Sequence, residues 1–140
     1  MLQSQTQIRV RYAETDQMNV VYHGNYAAYF EVARSECIRE NGFTYKQIEA
    51  LGVIMPIVEI NIKFLRPAHY DDLLTIKTTL NELPTNHKMV FHHEVYNEEN
   101  KLLTIGKILL YLVDANTKEK TTMPQAMIDK IAHKFEKKYY

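Results

Sequence analysis

Asp16 is the residue in this chain most open to chemistry, because of the residues that come directly after it. In the stretch Tyr12–Cys37, YAETDQMNVVYHGNYAAYFEVARSEC, this lone acid precedes a short loop, then Tyr22 and His23, then a long amphipathic pattern. A helix start exposes backbone N–H groups that have no intrahelical acceptor, and such groups stabilise growing negative charge. A carboxylate held beside them is equipped to attack a carbonyl. It acts as nucleophile, or as a base towards water, while the amides receive the charge developing on oxygen. His23 invites a general-base role, or its imidazole fixes the loop. Tyr22 reads as packing or pocket wall rather than proton donor, and Asn25 as the cap of the helix, with orienting the carboxylate as its alternative. Tyr26, Tyr29 and Phe30 hint at aromatic walls for whatever is attached to that carbonyl.

The other reactive residue types point nowhere else. Cys37 falls on the apolar stripe of the expected helix and reads as core, not nucleophile. His92 and His93 are adjacent on a strand, so they face opposite ways and cannot share a metal. His69, His87 and His133 have no ligand spacing between them, and no metal site is expected. Four glycines are too few and too scattered for a phosphate-cradling loop. Arg66 and Lys88, both close to turns, read as solvated charges, with contact to a phosphate as the alternative.

The elements that must position Asp16 can be read from periodicity. Tyr26, Phe30, Ala33 and Cys37 recur at helical steps and predict a helix from Gly24 to about Asn41, with Glu31, Arg34 and Glu36 away from the stripe's centre. Asn41-Gly42 supplies its stop, and a short helix over about 44–51 is halted by Gly52. Before the loop, residues 6–13 alternate as a half-buried strand with Ile8, Val10 and Tyr12 on one side. After it the period is two. Val58, Ile60, Ile62 and Phe64 form one strand face, ended by Arg66-Pro67-Ala68. Leu74, Ile76, Thr78 and Leu80 form the next, and Met89, Phe91 and Val95 the one after, with a hairpin turn at Asn97–Lys101. The last strand, about 102–114, is apolar on both faces, with Leu103, Ile105, Leu109 and Val113 opposite Ile108, Leu110 and Leu112. It is therefore expected at the sheet centre or under a second subunit. A C-terminal helix over about 124–138 carries Met127, Ile131 and Phe135 inward and a solvated set of lysines outward.

Four consecutive strands with short turns predict an antiparallel meander covered by one long helix, an α+β domain spanning 1–140. Composition agrees: 46% apolar and 24% charged residues are ordinary for a globular protein. Seventeen basic residues balance seventeen acidic ones, which argues against a nucleic-acid partner. No apolar run approaches the roughly 18 residues of a membrane span. The opening MLQSQTQ lacks the features of a secretion signal, and the single cysteine fits a reducing compartment, so a cytoplasmic location is expected.

The run Asp16-Gln17-Met18-Asn19-Val20-Val21-Tyr22-His23-Gly24-Asn25-Tyr26 resembles the signature of the 4-hydroxybenzoyl-CoA thioesterase family, including its Tol-Pal-associated and long-chain acyl-CoA thioesterase relatives. Ala33-Arg34-Ser35-Glu36 and Arg66-Pro67-Ala68-His69-Tyr70-Asp71-Asp72-Leu73-Leu74 carry the same likeness, which covers roughly residues 6 to 120. The resemblance implies a hot-dog fold, a curved sheet of about five strands wrapped around a central helix. It implies hydrolysis of an acyl-CoA to a carboxylic acid and free coenzyme A, with Asp16 as the catalytic acid and the His23 N–H as oxyanion donor. Tyr22, Gly24, Asn25 and Tyr26 would contact the substrate. It implies no metal and no cofactor beyond the coenzyme A of the substrate, and a homodimer or homotetramer with active sites between subunits. Many members carry glycine where this chain has Asn19; asparagine tolerates a left-handed backbone, so the turn is expected to form. The alternatives are a hot-dog hydratase or dehydratase and a non-catalytic acyl-CoA-binding protein.

Overall fold

The expected helix forms as α1 (Tyr26–Glu40), entered through a single 3-10 turn at His23–Asn25. It buries Tyr26, Tyr29, Phe30, Ala33, Cys37 and Ile38 and stops at Gly42, whose φ of 97° is open to glycine at little cost. Arg34 is buried with them at 2% exposure, against the sequence expectation. It stands four residues from both Phe30 and Ile38, so one helical face carries all three inward. The short helix α2 (Tyr45–Ala50) opens with a reciprocal cap between Thr44 and Gln47 and ends before Gly52.

The structure, a computed structural model, describes residues 1–136. Its strands are β1 (Leu2–Arg9), β2 (Val53–Ile54), β3 (Ile57–Phe64), β4 (Leu73–Leu80), β5 (Lys88–Tyr96), β6 (Leu102–Tyr111) and β7 (Val113–Asp114). Five of them form one antiparallel sheet in the order β1-β4-β5-β6-β3, and β2 pairs with β7 at its margin. The sheet is antiparallel as expected, but it is not a four-strand meander. Only β4, β5 and β6 are consecutive neighbours; β3 lies on the far edge beside β6, and residues 65–72 carry the chain back across to β4. Those residues include the Arg66–Asp72 stretch, whose role is thus to bridge the two halves of the sheet.

Helix α1 packs over β1 and β4 and reaches β5 through Phe30. Beneath it a row of residues runs across the sheet in register: Ser4, Thr78, His93, Gly106 and Ile62. Glycine at 106 is required by packing. A Cβ there would stand 2.5 Å from the Phe30 ring, so the helix seats directly on bare backbone. The imidazole of His93 lies parallel to Phe30, with centroids 4.6 Å apart, and its Nδ1 is 3.0 Å from the Thr78 hydroxyl.

Strand β6 is central, and its apolar character has an internal explanation. A bulge at Leu103, opposite Val95–Tyr96, puts Leu103 and Thr104 both inside; from there on the even-numbered residues point to the core. Leu103 and Ile105 therefore do not share a buried face, and Ile105 is exposed. The uncovered strand is instead β3. Val58, Ile60 and Phe64 are 49%, 42% and 52% exposed, because α1 sits over the opposite half of the sheet.

At the termini, β1 begins at Leu2, earlier than expected, and Tyr12 is exposed in a 3-10 turn. Pro124 caps α3 (Gln125–Ile131), which continues as a 3-10 turn to Phe135. Lys137 and Lys138 lie outside the described residues. No helix among the described residues is long and apolar enough to cross a membrane.

Candidate active site

The loop that carries Asp16 is a miniature hairpin. Thr15 bridges Val21, the Asp16 amide donates to the Val20 carbonyl at 2.9 Å, and Asn19 donates back to the Asp16 carbonyl at 3.0 Å. Asn19 takes a left-handed φ of 63°, so the turn expected there forms. One carboxylate oxygen of Asp16, Oδ1, accepts the Met18 amide at 2.9 Å. That bond fixes the carboxyl plane; Oδ2 accepts no hydrogen bond among the described residues.

Two anchors hold the hairpin against the body of the protein. On one side the Val21 amide donates to Ala68 at 2.8 Å and Val20 bridges His69, both on the crossing segment. On the other side Glu14 gathers the loop. Its carbonyl accepts the Tyr22 amide at 2.9 Å and the Asn25 side-chain amide at 2.8 Å. Its carboxylate accepts the Arg11 amide at 2.8 Å and the Tyr29 hydroxyl at 3.0 Å. Burial pushes the Glu14 carboxyl upward, but the bonds from the Arg11 amide, the Tyr29 hydroxyl and the Arg11 guanidinium outweigh it and hold the group below its ordinary value. Burial first, then that same carboxylate, drives the Tyr29 phenol far upward. Glu14 and the Tyr29 hydroxyl were not anticipated from sequence. The only signal was the three-residue spacing of Arg11 and Glu14, which closes a reciprocal backbone–side-chain pair.

The anchored loop leads into the 3-10 turn whose first amides, those of His23 and Gly24, donate to no acceptor among the described residues. Asp16 and His23 line the same cleft, of about 300 Å³, with Tyr26 and Phe64 as aromatic walls and Leu65, Arg66 and Pro67 closing one side. Tyr26 is buried and stands edge-on to Phe64 at 5.4 Å; burial raises its phenol above the ordinary value.

Three of the expected contact residues lie elsewhere. Asn25 does not cap α1 with its side chain, since its amide is committed to Glu14. The Tyr22 ring is half-exposed and lies over Gly24, where an added Cβ would come within 2.6 Å of it. Tyr22, Gly24 and Asn25 are outside the cleft's lining, whereas Asp16, His23 and Tyr26 belong to it. Of the two candidate phosphate partners, Arg66 is at the cleft, tied at 3.3 Å to the Leu102 carbonyl. Lys88 lies in a separate hollow with His92 and Lys107.

The profile of the Thioesterase superfamily matches residues 18–104. The chain belongs to that superfamily. Its curved antiparallel sheet, closed over α1, is the hot-dog fold. YneP of Bacillus subtilis (strain 168) is 40% identical over 99 residues, 71% of each chain. YbgC of Escherichia coli O6:H1 (strain CFT073), named an acyl-CoA thioester hydrolase, is 31% identical over 121 residues, 86% of this chain and 90% of that one. The crystal structure of a DHNA-CoA thioesterase from Staphylococcus aureus superposes with a TM-score of 0.84 at 30% identity, covering 97% of both chains. The superfamily match begins at Met18, two residues past Asp16, so the acid's role rests on its surroundings in the fold.

Proposed function

We propose that this protein is an acyl-CoA thioesterase in which Asp16 is the catalytic carboxylate. The observation that carries the reading is that Asp16 and the start of the helix line one cleft, with the His23 amide unpaired beside it. Thioesters suit so small a set of parts. They have weak resonance and a good thiolate leaving group, so one carboxylate and an oxyanion site suffice. In one route Oδ2 of Asp16 attacks the carbonyl carbon, the His23 amide stabilises the oxyanion, and coenzyme A leaves as its thiolate. Water then hydrolyses the mixed anhydride, returning the carboxylate. In the other, Asp16 takes a proton from water, which attacks directly. Both give a free acid and free coenzyme A and need no further cofactor.

The reading includes a homodimer. Strand β3 is a sheet edge with unpaired backbone and the exposed residues Val58, Ile60 and Phe64, a combination that self-association relieves. Pairing of β3 with its own copy in antiparallel fashion would extend the sheet and wall the cleft. Arg66 is the preferred partner for a phosphate of coenzyme A. The lone, buried Cys37 is consistent with the cytoplasm. The test is a panel of acyl-CoAs read with a thiol-reactive dye. Turnover is expected, with a loss of at least about a hundredfold in Asp16→Asn at unchanged oligomeric state. Tight acyl-CoA binding with no thiol released by the native protein refutes the reading.

A further inference from the structure

A second cavity, of about 610 Å³, opens between α1, α2 and the start of β3, next to Met55, Ile57 and Leu110. Arg34 lines it while being 2% exposed, and neither its Nε nor its Nη1 finds an acceptor. The hydroxyl of Tyr45, which also lines the cavity, is buried beside the Arg34 guanidinium and has no other partner among the described residues. The acids at its mouth do not satisfy them. Glu31 and Glu49 are exposed and form no ion pair with Arg34, and Lys46 stands exposed beside them. Buried donors left unpaired are costly, and a buried guanidinium more so than an amide. No side chain lining the cavity accepts from the Arg34 Nε or Nη1.

The position of the cavity indicates what supplies an acceptor. Ile57 begins β3 and Phe64 ends it, and Phe64 lines the Asp16 cleft. In the antiparallel β3 pairing proposed above, the start of one strand lies opposite the end of the other. The Arg34 cavity of one protomer then adjoins the Asp16 cleft of its partner. We propose that it is the far end of the acyl pocket, and that Arg34 and Tyr45 select acyl groups bearing a carboxylate at the end remote from the thioester. This rests on the thioesterase reading and its dimer. A purely aliphatic tail would leave the donors unpaired, whereas a carboxylate accepts from both.

The test compares matched coenzyme A thioesters: succinyl against butyryl, adipoyl against hexanoyl and suberyl against octanoyl. Hydrolysis is measured as kcat/KM, and binding by calorimetry to the Asp16→Asn protein, which reports on the pocket whether or not the native protein turns anything over. At the chain length that spans the pocket, the diacid thioester is expected to be favoured by about tenfold or more, the scale of a charge-assisted hydrogen bond. Tyr45→Phe should reduce that ratio and Arg34→Met should abolish it. Equal or weaker binding of the diacid at every length overturns the proposal. So does an Arg34→Met protein that becomes monomeric, because the acceptor is then a side chain of the second copy. Loss of turnover throughout, with the binding preference intact, would count against the hydrolase assignment and leave the pocket assignment standing.

Discussion

The burial of His93 makes stability depend on pH in a way that one substitution can isolate. The ring is 0% exposed, lies flat on Phe30, shares a bond with Thr78 through Nδ1 and has no partner for Nε2. Burial first, then the nearby charges of Arg34 and His92, push its pKa from 6.5 down to about 3. The folded protein therefore keeps this imidazole neutral through a range in which the unfolded chain takes up a proton. Where the unfolded state binds more protons, stability falls as pH falls. The loss begins near the unfolded value of 6.5 and continues towards the folded value of about 3. At pH 5 the unfolded chain is almost fully protonated at this site and the folded one is not. The penalty is about 1.5 pH units at about 1.4 kcal/mol each, or about 2 kcal/mol. His93→Gln removes the titration and retains a polar group opposite Thr78. Urea unfolding of both proteins at pH 7.5 and pH 5 is the assay, since the remaining titrating groups cancel in the difference. The native protein should lose about 2 kcal/mol more than the variant between the two pH values. A native-minus-variant difference that is the same at both would mean that the fold accommodates an imidazolium, and the argument would fail.

Glu14→Gln should cost about 1–2 kcal/mol at pH 7, the scale of charged hydrogen bonds lost to Arg11 and Tyr29. Because the Glu14 pKa is lowered in the fold, that difference should vanish as pH falls from 4.5 through the folded value, in unfolding experiments run down to acid. Gly106→Ala should destabilise by about 1–3 kcal/mol, read as a lower midpoint in denaturant, since the new methyl meets a Phe30 ring with nowhere to retreat. Ile60→Lys, at an exposed position of β3, should convert the proposed dimer to monomer by light scattering and remove turnover with it; a monomer of undiminished activity would contradict the proposed shared cleft.

Much of this was legible in the sequence because local rules act undisturbed there. The stripe Tyr26, Phe30, Ala33, Cys37 is a core stripe, and Leu74, Ile76 and Leu80 bury the face that their alternation specified. The turn after Asp16 was readable because Asn19 is a residue that accepts a left-handed backbone, but not the hairpin pairing around it. What escaped was set by partners distant in the chain. Nothing in the alternation of Val58, Ile60, Ile62 and Phe64 says that their strand will lie beside β6 and not β4, so an ordinary half-buried pattern became an exposed edge. Arg34 looked like a surface charge because charge usually decides the side of a helix a residue takes; here its spacing from Phe30 and Ile38 decides it. The Leu103 bulge shifted the inward set of β6 by one residue, which periodicity cannot register once both faces are apolar.

That extra residue also shapes the cleft. The carbonyl of Leu103 accepts two amides, Leu65 at 2.8 Å and Arg66 at 3.0 Å, just where the chain leaves β3. The kink in one strand is thus the clasp on which the next segment is hung, and that segment supplies Leu65, Arg66 and Pro67 to the wall facing Asp16. Deleting Leu103 would straighten the ladder and unfasten the wall in one stroke, without touching a reacting group. Substitutions at 103 that keep the backbone would leave the clasp closed, so the side chain there is free to answer to the core while its carbonyl answers to the cleft.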